Sequence, residues 1–145
     1  MKDAFGDWEV RCVRVAEGEK EDCNMFQLLR RADGNPIAEI SMFLLPVGRQ
    51  AVAGATIITP LGTSLPKGLQ IHIEGAEPKI YPFSYCLNAG CVARAGFTGV
   101  DMGNLERSDA AKLVFTHFRS PDKPVEVNLS LDGFTDSYDL LLEDF

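Results

Sequence analysis

Residues 125–132, with the sequence VEVNLSLD, indicate the fold class because apolar and polar side chains alternate along them without a break. A period of two places successive side chains on opposite faces of a β-strand, so the run predicts a strand with one buried and one solvated face. Residues 69–74 (LQIHIE) repeat this alternation, and residues 8–12 (WEVRC) place Trp8 and Cys12 on one side.

Outward from these three runs, further strand-like segments are separated by short turns rich in glycine and proline. The further predicted strands cover residues 24–31, 37–45, 52–59, 80–87, 91–97 and 112–119. The glycine and proline turn signals lie at residues 33–36, 60–62, 66–68, 74–75, 89–90 and 132–133. A chain of about nine short strands with this punctuation predicts an all-β fold, mainly an antiparallel β-sandwich.

Two short helices accompany the predicted strands. Residues 104–111 could form one, with Ser108 and Asp109 as capping residue types. The last segment of the chain has apolar residues at i, i+4, i+7 and i+8, which is the spacing of one helix face. This face comprises Phe134, Tyr138, Leu141 and Leu142. We therefore predict a short C-terminal helix that packs on the strands.

The four cysteines fall into two close pairs, Cys12 with Cys23 and Cys86 with Cys91. An even number of cysteines at short spacings is typical of structural disulfides and of an oxidising compartment. We predict this local pairing, in which each bridge closes a short loop and stabilises the fold by about 2–3 kcal/mol. Redox-active or metal-binding cysteines are the alternatives, although neither pair has the C-x-x-C spacing.

Composition and charge limit the classes of function. The chain has 145 residues, 46% of them hydrophobic, so we expect residues 1–145 to form a single domain. Its formal net charge of −7 argues against nucleic-acid binding and against electrostatic attachment to anionic lipid. No apolar run is long enough for a transmembrane segment. Because the chain opens with MKDAFGDW, we expect it to start after a removed signal peptide, with Met1 an added start.

Candidate catalytic residues are few. The sequence contains no nucleophile elbow and no phosphate-binding loop. His72 lies beside Glu74 on the polar face of a predicted strand, and His117 is predicted to be a partly buried, hydrogen-bonded side chain. The acidic residues 19–22 could bind calcium but lack the pattern of a calcium loop. We therefore predict no catalytic residue, no bound metal and no cofactor.

An aromatic segment at residues 80–85 (IYPFSY) is the main candidate interaction site. Tyr81, Phe83 and Tyr85 would share one face of a strand at a period of two. Exposed, this face would form a protein-contact patch; buried, it would be ordinary core packing.

Short motifs also occur in a recognisable order along nearly the whole chain. They are WEVRC at residues 8–12, Cys23, LPVG at 45–48, LPKGL at 65–69, PFSYC at 82–86, GC at 90–91 and SLDGF at 130–134. Each motif alone is weak, but the ordered set with both cysteine pairs resembles the invasion-associated locus B family of bacterial envelope proteins.

The resemblance implies an exported protein of Gram-negative bacteria, periplasmic or associated with the outer membrane. Founding members of that family are linked to invasion of host cells, including red blood cells, and a role in envelope maintenance fits equally well. The resemblance transfers no catalytic residue. Only Cys12, Cys23, Cys86 and Cys91 carry over, as structural bridges.

The leading hypothesis is a non-enzymatic protein that contacts an envelope or host-cell protein through a sheet edge or an apolar face. One alternative is a periplasmic small-ligand binder with an apolar pocket. The other is a hydrolase of envelope polymers, whose cleft would use His72 with Glu74, or His117. The sequence predicts no particular oligomeric state.

Overall fold

The computed structural model describes residues 2–14, 21–46 and 48–144, which form eleven β-strands and two α-helices. The strands are β1 (Lys2–Phe5), β2 (Trp8–Arg14), β3 (Glu21–Arg30), β4 (Pro36–Leu44), β5 (Ala53–Thr59), β6 (Leu69–Ile73), β7 (Lys79–Tyr81), β8 (Phe83–Leu87), β9 (Gly90–Phe97), β10 (Ala111–Phe115) and β11 (Val125–Leu129). The helices are α1 (Gly99–Arg107) and α2 (Phe134–Asp144).

In the described ranges, all eleven strands join one antiparallel sheet. Its order is β7–β6–β10–β11–β3–β4–β5–β9–β8, and β2 and β1 extend from β3. The two ends of this order, β7 and β8, are consecutive in sequence and are separated only by Pro82. Residues 79–81 pair with β6, whereas residues 83–87 pair with β9. One continuous segment therefore crosses from one edge of the sheet to the other and nearly closes it.

The predicted all-β, mainly antiparallel class is confirmed, and each of the predicted strands is present. The structure divides the segment predicted at residues 80–87 into two strands at Pro82, because proline has no N–H to donate to a strand ladder. It also adds β1, which pairs with β2 across the turn at Gly6 and Asp7. The facing layers of the fold are parts of one curled sheet around a common core.

The core consists of the inward-facing side chains of this sheet. Strand β6 shows the alternation predicted for it, since Leu69, Ile71 and Ile73 are buried and the two residues between them are half-buried. The largest fully buried side chains are Trp8, Phe134, Met25, Leu29, Ile40, Met42, Ile57, Leu69, Leu105 and Leu113. Alternation along the sequence therefore identified the buried face of the strands correctly.

Helix α1 begins earlier than the helix predicted at residues 104–111. Thr98 is its N-cap: the Thr98 hydroxyl accepts a hydrogen bond from the Asp101 N–H, and the Asp101 carboxylate accepts one from the Thr98 N–H. This reciprocal capping box satisfies two backbone donors at the helix start. Ser108, which was predicted only as a capping residue type, ends the helix by donating its N–H to the Asn104 carbonyl. The predicted boundary is wrong because the stronger cap lies upstream.

The predicted C-terminal helix is confirmed as α2. Phe134 and Leu141 are buried and Tyr138 is half-buried, whereas Leu142 is 50% exposed and lies beside the apolar face. The Phe134 ring meets Trp8 edge-on at a centroid distance of 5.6 Å. Aromatic pairs favour this edge-to-face geometry, so the contact fixes where α2 packs on β2.

Candidate functional site

Both predicted disulfides are present. Cys12 and Cys23 are directly opposite each other in the β2–β3 pair, and Cys86 and Cys91 are opposite in the β8–β9 pair. Each bridge therefore staples a hairpin, which is why a local pairing satisfies the geometry. The acidic residues 19–22 lie partly outside the described residues, so the calcium alternative stays a prediction that the structure does not address.

Strand β8 is a strongly exposed strand at an edge of the sheet. Every residue of β8 after Phe83 is exposed, and Tyr85 and Leu87 are 41% and 59% exposed. Within the described ranges β8 pairs only with β9. The Cys86–Cys91 bridge ties this edge strand to its neighbour, because Cys91 is buried in β9 while Cys86 is exposed. The arrangement is a short, rigid strand with an open edge.

The structure divides the predicted aromatic patch. Tyr81 and Phe83 are half-buried and pack against the core, and the Tyr81 ring lies 6.1 Å from Phe97. Tyr85 is turned outward, where Arg94 Nη2 donates to its hydroxyl oxygen at 3.2 Å. A register shift between Phe83 and Tyr85 breaks the period of two. Only Tyr85 of the three is therefore well placed to meet a partner at the surface.

Tyr85 instead lies in a row of cross-strand neighbours that ranges from the buried Val92 to the exposed Leu28. Strand pairing aligns Tyr85 with Val92, Val92 with Ile58, Ile58 with Glu39, and Glu39 with Leu28. Cross-strand neighbours of this kind touch one another on the sheet surface. Sequence reasoning missed the row because its members are far apart in the chain and become neighbours only through the strand order.

The described groups with shifted pKa values gather mainly where β7 meets α1. The buried Asp101 carboxylate accepts a hydrogen bond from Lys79 Nζ at 2.7 Å and from the Thr98 N–H at 2.9 Å. Burial raises the pKa of Asp101, but the hydrogen bonds and the charge of Lys79 together outweigh burial and place this pKa below its usual value. The hydrogen bond to Asp101 raises the pKa of Lys79, and burial raises the pKa of Tyr81.

These side chains line a small cleft of about 200 Å³ between β7 and the start of α1. Its apolar wall includes Ile71, Phe97 and Val100. Asp101 already completes the capping box of α1, and Lys79 forms an ion pair with it. The cluster therefore has a structural task, which is to bind the start of α1 to β7.

Replacing Asp101 with asparagine is expected to lower the free energy of unfolding at neutral pH by about 1–2 kcal/mol, because the helix cap weakens and Lys79 loses its partner. The folded pKa of Asp101 lies below its unfolded value, so its contribution is present above the unfolded pKa and is lost as the pH falls through the folded pKa. Urea denaturation at several acid pH values measures this loss. The unsubstituted chain should lose more stability than Asp101→Asn between about pH 5 and pH 2. Equal losses would exclude Asp101 as the responsible group.

Of the residues considered for a hydrolase, His72 and Glu74 line one shallow cleft, whereas His117 is not among the residues that line it. His72 Nε2 is 2.9 Å from Gln70 Oε1 on the same strand. His117 Nδ1 accepts a hydrogen bond from the Arg119 N–H at 3.1 Å, and the His117 ring stacks on Phe118. The described residues contain no group of three metal-ligating side chains, and none of their helices is long and apolar enough to cross a membrane.

The family model for the invasion associated locus B (IalB) protein matches residues 8–142. The crystal structure of invasion associated protein B from Bartonella henselae superposes with a TM-score of 0.82 at 18% sequence identity, covering 99% of this chain and 95% of that chain. None of the curated proteins matches the sequence.

Proposed function

Because the chain belongs to the invasion associated locus B family, we propose that it is a non-enzymatic exported envelope protein. Its task is to bind another protein, in a process linked to host-cell invasion or to envelope maintenance. We place residues 1–145 as one domain in the periplasm or at the outer membrane. The two disulfides support this location, since such bridges persist in oxidising compartments outside the cytoplasm.

The observation that carries the proposal is the open edge of β8. An edge strand presents unpaired backbone N–H and C=O groups, and an extended segment of a partner can add to it as a further strand. Backbone hydrogen bonds would supply affinity, while the exposed Tyr85 and Leu87 side chains would supply contacts on either side of the new strand.

The Cys86–Cys91 bridge supports this use of β8. A strand held in its binding conformation loses little conformational freedom when a partner binds, so less of the binding energy is consumed in ordering it. Tyr85 is held by Arg94 as well, whose guanidinium lies 5.6 Å from the tyrosine ring centroid. The edge is therefore ordered before any partner arrives.

A photo-activated cross-linking residue at position 87 tests the proposal in living bacteria. We expect illumination to produce a discrete adduct with one partner protein, because the Leu87 side chain is 59% exposed on the open edge. The matched control is the same residue at position 142 on α2, where Leu142 is 50% exposed. An adduct formed without host cells indicates envelope maintenance, and one formed only with host cells indicates invasion.

The control decides how the adducts are interpreted. Adducts of the same mass from positions 87 and 142 would reflect crowding rather than a site at β8. Absence of any adduct from position 87 under both conditions would contradict the proposal.

A further inference from the structure

Two loops at one end of the sheet are joined into a single rigid unit, which we call the tip. It comprises residues 60–68, between β5 and β6, and residues 116–124, between β10 and β11. The Ser64 N–H donates to the Thr116 carbonyl at 2.6 Å, and the Phe118 N–H donates to the Gly62 carbonyl at 2.8 Å. Lys67 Nζ also donates to the Pro121 carbonyl at 2.8 Å. The two loops therefore hold each other in place without a strand between them.

The tip exposes large apolar side chains at its surface. Leu61, Leu65 and Phe118 are 56%, 46% and 58% exposed. All three residues lie in the two hydrogen-bonded loops rather than on the face of a strand. A cluster of exposed apolar residues on an ordered surface marks a site of contact with protein or membrane.

The charge of the tip is opposite to the charge of the whole chain. Its two loops carry three basic residues, Lys67, Arg119 and Lys123, and one acidic residue, Asp122. The chain as a whole has a formal net charge of −7. The Arg119 guanidinium lies 5.4 Å from the centroid of the exposed Phe118 ring, so basic and apolar groups are side by side.

The acidic groups at the other end of the sheet are too distant to cancel this local charge. The acidic residues there are Glu74, Glu77 and Asp109 in loops and Glu106 near the end of α1. The seven residues of β5 separate the two ends by about 20–25 Å, whereas charges are screened over about 8 Å at physiological salt. The net charge of the whole chain argued against binding to anionic lipid. The electrostatic potential close to the tip, however, is set mainly by the charges of the tip itself.

We propose that the tip is a membrane-binding site that places Leu61, Leu65 and Phe118 among the headgroups of an anionic phospholipid bilayer. Lys67, Arg119 and Lys123 would lie at the level of the lipid phosphates, because long basic side chains keep their charged ends in water while their stems contact apolar surface. Apolar burial and attraction to anionic lipid add together in such peripheral binding. The site uses residues other than those of β8 and does not depend on the protein contact proposed there.

Vesicle flotation with the purified, oxidised chain tests this site. We expect binding to phosphatidylglycerol vesicles, little binding to phosphatidylcholine vesicles, and weaker binding as salt rises. Phe118→Ser should weaken binding to phosphatidylglycerol by about tenfold, and Arg119→Gln by about fivefold. The matched controls are Val100→Ser, at a side chain 71% exposed on α1, and Arg49→Gln, both of which should bind like the unsubstituted chain.

Three results would overturn the proposal. The first is no binding to phosphatidylglycerol vesicles at low salt. The second is an equal loss in Phe118→Ser and Val100→Ser, which would mean that any exposed apolar residue suffices. The third is a Phe118→Ser variant that loses the position 87 cross-link but still binds vesicles like the unsubstituted chain. That result would assign the tip to a protein interface. All of the substituted side chains are exposed, so circular dichroism should show unchanged folding.

Discussion

Gly133→Ala is expected to lower the free energy of unfolding by more than about 4 kcal/mol, while Gly75→Ala lowers it by only about 1–2 kcal/mol. Both glycines have a φ of +86°, so both substitutions place a side chain in the left-handed region that disfavours it. A Cβ at Gly75 would meet nothing within 4 Å, whereas a Cβ at Gly133 would overlap the carbonyl oxygen of Phe5. The difference between the two losses of stability therefore measures the effect of the close approach between residue 133 and Phe5.

Chemical denaturation followed by far-ultraviolet circular dichroism measures both free energies. Gly75→Ala is the control for left-handed backbone strain, because it shares the φ value and lacks the clash. If both variants lost the same stability, the approach of residue 133 to Phe5 would have no energetic importance. A Gly133→Ala chain that does not fold at all would agree with the prediction in its strongest form.

The reason for so large an effect is that Gly133 lies where the start of the described chain meets its last helix. The Asp7 N–H donates to the Asp132 carbonyl at 3.1 Å, and the Ser130 hydroxyl donates to Asp7 Oδ2 at 2.6 Å. The β1–β2 turn is therefore fastened to residues 130–133 just before α2 begins. Displacing this contact would disturb β1, β2 and the packing of α2 together.

Sequence reasoning succeeded where the determining interactions are local. Alternation in residues 69–74 and 125–132 predicted which side chains are buried, because the period of a strand depends only on the strand itself. The disulfide pairs were predictable for a similar reason. Cys86 and Cys91 flank one tight turn, and a hairpin brings such residues directly opposite each other.

Features that depend on contacts between residues far apart in the chain could not be predicted from local sequence patterns. The near-closure of the sheet at Pro82 requires β6 and β9 to lie on either side of one segment, which no local pattern specifies. The tip was missed because loop residues have no period, so exposed Leu61 and Phe118 resemble any other apolar residues in the sequence. The start of α1 is different, since Thr98 and Asp101 have capping-box spacing and could have been used.

The predicted aromatic patch shows how a local irregularity changes a site. A period of two placed Tyr81, Phe83 and Tyr85 on one face, but the register shift after Phe83 rotates Tyr85 outward. A bulge of this kind redirects side chains without altering strand propensity, so the sequence gives little warning of it. The surface around Tyr85 is consequently shared by the exposed residues of β8 and by side chains of neighbouring strands.

Trp8→Ala is expected to lower the free energy of unfolding by about 3–5 kcal/mol. Trp8 is fully buried, and its indole Nε1 donates to the Ser130 carbonyl at 2.8 Å. Gln27 Nε2 donates to the same carbonyl at 3.0 Å, and Gln27 Oε1 accepts from the Ser130 N–H at 2.9 Å. The substitution would thus leave a cavity beside Phe134 and remove one of two donors to Ser130.

Trp8→Phe separates these two contributions, because it keeps most of the apolar volume and removes only the indole N–H. It should lower stability by about 1 kcal/mol for the lost hydrogen bond, with a smaller further loss from imperfect packing. Since Trp8 is the one tryptophan of the chain, circular dichroism rather than fluorescence must follow unfolding. Equal losses in Trp8→Phe and Trp8→Ala would mean that the hydrogen bond stabilises the fold more than the packing of the indole ring does. We expect the loss of packing to lower stability more than the loss of the hydrogen bond, because Gln27 would still donate to the Ser130 carbonyl. Ser130 follows β11, and β11 and β2 pair with different parts of β3.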